Sequence, residues 1–89
     1  MTPRAYTAAQ RLVWLPLMAE LARAAEQGPG ALARVIEPVE REAVMAVAMA
    51  CDVDYAEVAA LEPGSFLDLL AQVMQVNADL IEQVPHGHR

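Results

Sequence analysis

The feature that most constrains this fold is a run of apolar residues that no charged or polar side chain interrupts. It spans residues 43–51 and reads Ala-Val-Met-Ala-Val-Ala-Met-Ala-Cys. Alanine and methionine favour helices, and a helix that is apolar on every side is buried on every side. Charged residues precede the run, and Pro38 suits the first turn of a helix. The run therefore predicts a central helix over about residues 38–51, wrapped by the rest of the chain.

The length and composition indicate one small helical domain. The chain has 89 residues, of which 56% are hydrophobic but only 4% aromatic, so alanine, valine, leucine and methionine must supply the core. This mixture suits close contacts between helices better than it suits sheets. We expect an all-α domain of four to five helices over residues 1–89, with frayed ends at residues 1–7 and 85–89.

Proline, glycine and capping residues delimit the shorter helices. Residues 8–15 suit either a helical turn or an extended arm. Pro16 disfavours helix in the residue before it and suits a new first turn, so a helix is expected to begin there. Asp54 followed three residues later by Glu57 has the spacing of a capping box. The predicted short helices cover residues 16–27, 31–36 and 55–61.

The longest predicted helix spans about residues 65–84, with Ser65 as its capping residue. Its apolar side chains fill an arc a little over half of the circumference. Asn77 is the exception, because it lies near the middle of that arc. An unpaired amide in a core costs about 1–3 kcal/mol, so Asn77 needs a partner. An internal hydrogen bond to a loop such as residues 52–54, or an interface with another chain, would supply one.

The residue types needed for catalysis are scarce. Cys51 is the single cysteine, Ser65 is the single serine, and both histidines, His86 and His88, lie in the tail. A nucleophile needs a base at hydrogen-bond distance, and two histidines are too few for a metal site. We therefore expect no enzyme activity, no metal and no cofactor. Cys51 is interpreted as a small buried hydrophobe whose thiol pKa is raised by the neighbouring carboxylates, and a lone cysteine fits a cytoplasmic protein.

Ser65 also raises a remote alternative. A serine at a helix start in an acidic chain is similar to the serine that bears the prosthetic group of acyl carrier proteins. Those carriers have Asp before the serine, where this chain has Gly64, and they have further helices that the remaining 24 residues could hardly hold. Helix capping is the preferred explanation of Ser65.

The charges are distributed unevenly along the chain. Residues 1–41 contain five Arg and four Glu, whereas residues 42–84 contain eight acidic residues and no basic one, for a net charge of −6. This balance argues against binding to nucleic acid or to anionic lipid, and no apolar run is long enough to span a membrane. The acidic block favours a basic partner surface, or it serves only as a solvated face that keeps the chain soluble.

Three stretches of the chain resemble a known family. Residues 15–24 read LPLMAELARA, residues 46–61 combine an apolar helix, a tight break and the sequence YAEVAAL, and residues 76–81 read VNADLI. They are similar to the first-helix entry, the central segment and the closing Val-Asn-x-Asp-Phe-Phe pattern of the small tail assembly chaperones of tailed bacteriophages and prophages. The chain departs from that family at Cys51-Asp52, where Thr-Gly is common, at Ser65, where Asp often stands, and at Leu80-Ile81, where aromatic residues are usual.

The resemblance implies a helical, non-enzymatic protein of the bacterial cytoplasm that keeps the helix-rich tape-measure protein soluble during tail assembly. We expect the partner-binding face to combine the start of the first long helix with parts of the last one, namely Trp14, Leu15, Met18, Phe66, Met74 and Asn77. The alternatives are a small structural tail or head-completion subunit, and an unrelated helical adaptor that forms homodimers.

Overall fold

The structure, a computed structural model, describes residues 1–84. These residues form six α-helices and one 3-10 turn and contain no strand, so the predicted all-α class is confirmed. The elements are α1 (Ala8–Glu26), α2 (Pro29–Ile36), the 3-10 turn (Glu37–Val39), α3 (Glu40–Cys51), α4 (Tyr55–Ala59), α5 (Pro63–Val76) and α6 (Ala78–Glu82).

The core is built around α3, as the apolar run predicts. Its small side chains are almost completely buried and allow neighbouring helices to approach closely. They pack with Leu21 of α1, Val58 of α4 and Leu70 of α5. The prediction that α3 is buried on every side is wrong, because Met45 and Met49 are 41% and 43% exposed. A chain of this length has too few helices to surround a central one completely.

The first helix begins earlier than predicted. It starts at Ala8, and Pro16 lies inside it rather than at its first turn. The start is set by a capping box, in which the backbone N–H of Gln10 donates to Thr7 Oγ1 and the backbone N–H of Thr7 donates to Gln10 Oε1. Proline removes only one backbone donor, so a helix anchored at both ends can continue through it.

Residues 1–7, here called the N-terminal arm, are tied to the core at residues 4 and 6. The Arg4 N–H donates to the Ala50 carbonyl at 2.9 Å, and the Tyr6 hydroxyl donates to the Ala46 carbonyl at 2.7 Å. Tyr6 is only 1% exposed, so the expectation of a frayed start is wrong for this part of the arm. Local sequence does not reveal this docking, because both acceptors lie on α3. The other predicted frayed segment, residues 85–89 with His86 and His88, lies outside the described residues.

Local capping explains α4 but not α5. The backbone N–H of Asp54 donates to Glu57 Oε2 at 3.1 Å, which confirms the predicted capping box. Helix α5 begins at Pro63, so Ser65 lies within its first turn and the prediction that Ser65 caps it is wrong. Proline is pre-set for the first helical position, which explains why the helix begins two residues earlier.

The predicted helix over residues 65–84 is divided at Asn77. This residue has φ −109° and ψ 13°, which separates α5 from α6. The Asn77 side chain donates from Nδ2 to the Val73 carbonyl at 2.9 Å, and the Asn77 backbone N–H donates to the same carbonyl at 3.2 Å. An asparagine side chain that competes with its own backbone for a helix carbonyl interrupts the regular pattern.

Candidate functional site

An open apolar groove lies between helix α2 and the start of helix α5. It has a volume of about 370 Å³ and is lined by residues of α2, the 3-10 turn, α3, α4, the α4–α5 loop and α5. Ile36, Val44 and Val58 are its buried lining residues. Leu61, Phe66 and Leu67 line it at more accessible positions, and Leu67 is 42% exposed. We call this feature the α2–α5 groove.

The width of the apolar arc on α5 explains why the groove exists. Leu69, Leu70 and Val73 face the core and are buried. Phe66 continues that stripe one turn earlier, Leu67 lies beside it, and both line the groove. An apolar arc wider than half of a helix cannot be covered completely by the core on one side. The surplus apolar side chains therefore form a wall that is open to solvent.

Two carboxylates lie at one edge of the groove. Glu37 of the 3-10 turn and Glu40, the first residue of α3, both line it and are exposed. None of the residues that line the groove, all of them within residues 1–84, is basic. An apolar surface bordered by acidic groups is suited to a partner that combines apolar and basic side chains.

Only one of the six predicted partner-binding residues lines the groove, and that residue is Phe66. Met18 is 0% exposed, so its prediction as a surface residue is wrong: a buried core side chain cannot contact a partner. Trp14 and Met74 are half-buried and pack against the core, and Leu15 is half-buried on α1. None of these residues lines the groove with Phe66.

Asn77 is held inside the molecule. It is 1% exposed, and its Oδ1 accepts the backbone N–H of Tyr6 at 2.9 Å while its Nδ2 donates to the Val73 carbonyl. The internal alternative is therefore the observed one, with the N-terminal arm as partner rather than residues 52–54. The interpretation of Asn77 as an interface residue is wrong, since its side chain is buried within the chain and its amide is hydrogen-bonded there through both the oxygen and the nitrogen.

Sequence reasoning missed most residues of the groove. Val44 and Val58 were expected only as apolar positions on separate helices, and Leu61 and Leu67 only as parts of apolar patterns. Each of these side chains lines the groove because several elements meet there. The one usable signal was the excess width of the apolar arc on the last helix.

The groups that could do chemistry are buried or isolated. Burial raises the pKa of the Cys51 thiol, and burial together with the nearby Cys51 raises the pKa of the Tyr6 phenol well above its ordinary value. Both groups are therefore neutral at physiological pH. Burial is the main cause for Cys51, whereas the neighbouring carboxylates were expected to be.

Neither clustered metal-ligand side chains nor a membrane-spanning helix is found among residues 1–84. Residues 1–84 contain no group of three or more His, Cys, Asp or Glu side chains placed to hold a metal ion. Over the same residues, no helix combines the length and apolar character that crossing a membrane requires.

Comparisons with known protein families, with curated proteins and with solved structures find no match. What the chain does is therefore inferred from its own residues.

Proposed function

We propose that this protein is a non-enzymatic chaperone or adaptor that binds an apolar helical segment of a protein partner. The observation that carries the proposal is the α2–α5 groove, an open apolar surface of about 370 Å³ between helices. Amphipathic helices commonly bind by placing their apolar face in such a groove. Leu67 and Phe66 would contact the partner, and the buried Val58 would form the base of the contact.

The partner we propose is the tape-measure protein of a phage or prophage tail. This part of the proposal rests on the resemblance of residues 15–24, 46–61 and 76–81 to tail assembly chaperones. A long helix-rich protein exposes apolar helix faces before the tail tube encloses it, and a groove of this kind would mask one such face. The acidic block in residues 42–84 would keep the complex soluble while it waits for assembly.

Three other classes predict different observations. A structural tail or head-completion subunit would be present in purified particles, whereas a chaperone would be absent from them. A carrier would have an added mass on Ser65, which is exposed in the first turn of α5. A homodimeric adaptor would return only itself from a binding experiment.

The test is affinity capture of the tagged protein from its own host after prophage induction, followed by mass spectrometry. Leu67→Glu places a charge in the groove at an exposed position, and Leu12→Glu is the matched control, because Leu12 is 85% exposed on α1 and does not line the groove. We expect one very long helix-rich tail protein to bind wild type and Leu12→Glu but not Leu67→Glu. Both variants must retain the helical circular dichroism of wild type.

Three outcomes would overturn the proposal. Capture of the bait alone would favour a homo-oligomer, and capture of metabolic enzymes with a modified Ser65 would favour a carrier. Equal capture by Leu67→Glu and Leu12→Glu would show that the partner does not use the groove.

A further inference from the structure

We infer that the helix bound in the α2–α5 groove is basic: it carries Arg or Lys beside its apolar face, on the side that lies against Glu37 and Glu40. This inference rests on the proposed function and adds the chemistry by which a partner segment is selected. Its basis is the arrangement of charge around the groove, which differs from one edge to the other.

The two carboxylates are close in sequence, at the junction of the 3-10 turn and α3. Glu37 is the first residue of the turn Glu37–Val39, and Glu40, three residues later, is the first residue of α3. Both line the groove. The lining residues of α5, Pro63, Phe66 and Leu67, are uncharged. The negative charge of the lining is therefore confined to the side formed by the 3-10 turn and the start of α3.

Neither carboxylate, that of Glu37 or that of Glu40, is held in an ion pair within the described chain. Arg34 and Arg41 are close in sequence, but neither lines the groove. A basic side chain of a partner would meet two unpaired carboxylates beside an apolar surface, whereas an acidic side chain would be repelled by them.

The occupant is a helix rather than an extended strand because the groove has no strand to extend. Every element that lines it is helical or a connecting loop, and residues 1–84 contain no strand whose edge could pair with an added chain. An extended peptide would leave its backbone donors and acceptors unpaired against the apolar lining. A helix satisfies its own backbone and presents side chains spaced at i, i+3, i+4 and i+7 to the groove.

The experiment uses three synthetic peptides of about 20 residues, a length at which an isolated helix can form. They share one leucine- and methionine-containing apolar face and differ only at the flanking positions, which are Arg, Gln or Glu. Affinity for the full-length protein is measured by fluorescence anisotropy at low and high salt. The variant Glu37→Gln/Glu40→Gln removes the acidic edge. Its matched control, Glu20→Gln/Asp79→Asn, removes two exposed charges outside the groove.

We expect the Arg peptide to bind wild type about tenfold more tightly than the Gln peptide, since each exposed charge contact contributes a few-fold. The Glu peptide should bind most weakly. Glu37→Gln/Glu40→Gln should abolish the preference for Arg, the control should retain it, and high salt should reduce it.

The inference and the proposed function fail in different ways. Binding of all three peptides with equal affinity, abolished by Leu67→Glu, would overturn the basic preference and leave the groove as the binding site. An equal loss of the preference in the control variant would also overturn it, because the effect would then come from net charge. No binding by any peptide would overturn the proposed function together with the inference.

Discussion

Replacing Asn77 by alanine tests whether one buried amide holds the N-terminal arm against the α5–α6 break. The substitution removes the Oδ1 acceptor of the Tyr6 N–H and the Nδ2 donor to the Val73 carbonyl. The two losses are unequal. Val73 keeps the backbone N–H of residue 77 at 3.2 Å, whereas the Tyr6 N–H is left buried with no acceptor. Most of the cost therefore comes from Tyr6.

The expected destabilisation is about 2 kcal/mol, because an orphaned buried donor costs about 1–3 kcal/mol. A chain of 89 residues has a total stability of about 4–13 kcal/mol, so this loss is a large share of it. For a domain of this size, about 2 kcal/mol lowers the melting temperature by roughly 8–16 °C.

Unfolding by urea is followed by far-ultraviolet circular dichroism and by the fluorescence of Trp14, the single tryptophan. Gln72→Ala is the matched control, since Gln72 is an exposed amide on α5. Asn77→Leu separates the two physical causes, because leucine fills the space but supplies no acceptor. We expect Asn77→Leu to remain less stable than wild type, with the Tyr6 amide losing its protection from hydrogen exchange. Stability of Asn77→Ala within 0.5 kcal/mol of Gln72→Ala would refute this reasoning.

Three further substitutions test the burial of Tyr6, the proline inside α1 and the helix caps. Burial raises the pKa of Tyr6 above the ordinary value of 10.0, so the stability contributed by its protonated form is complete below pH 10 and falls as the pH rises further. The urea midpoint of wild type should therefore decline above pH 10, and Tyr6→Phe should remove the part of that decline that comes from Tyr6. An equal decline in Tyr6→Phe and wild type would contradict this prediction. Pro16→Ala should raise the free energy of unfolding by about 1–3 kcal/mol by restoring a backbone donor inside α1. A urea midpoint no higher than that of wild type would contradict this prediction. Ser65→Ala should change the free energy of unfolding by less than about 0.5 kcal/mol, whereas Asp54→Ala should lower it by about 1 kcal/mol by removing the cap of α4. Equal melting temperatures of the two variants would contradict the conclusion that Asp54, and not Ser65, caps a helix.

The helical class and the position of the central helix could be predicted from local sequence, because both depend on residue type and periodicity. Alanine-rich apolar runs have few alternatives to a buried helix, and α3 ends at Cys51 as predicted. The Asp54–Glu57 capping box is equally local, since its partners are three residues apart. These features need no information about the rest of the chain.

The candidate site could not be predicted in the same way. Of the six residues expected on the partner-binding face, only Phe66 lines the groove, while Met18 and Asn77 are buried. Helical periodicity identifies which side of a helix is apolar, but it does not say whether that side faces the core or a groove. The choice depends on which other elements cover it.

What the sequence by itself determined is the helical class, the central helix and the apolar side of each helical pattern, since local propensity and spacing decide these. What only the tertiary structure decided is whether each apolar face contacts the core or lines a groove, and where the helical pattern of residues 65–84 is interrupted. The contact between Tyr6 and Asn77 joins residues 71 positions apart, and it accompanies a break that the periodicity of residues 65–84 does not predict. The α2–α5 groove likewise exists only where several helices meet. Contacts between distant residues depend on how the whole chain packs, which no local pattern encodes.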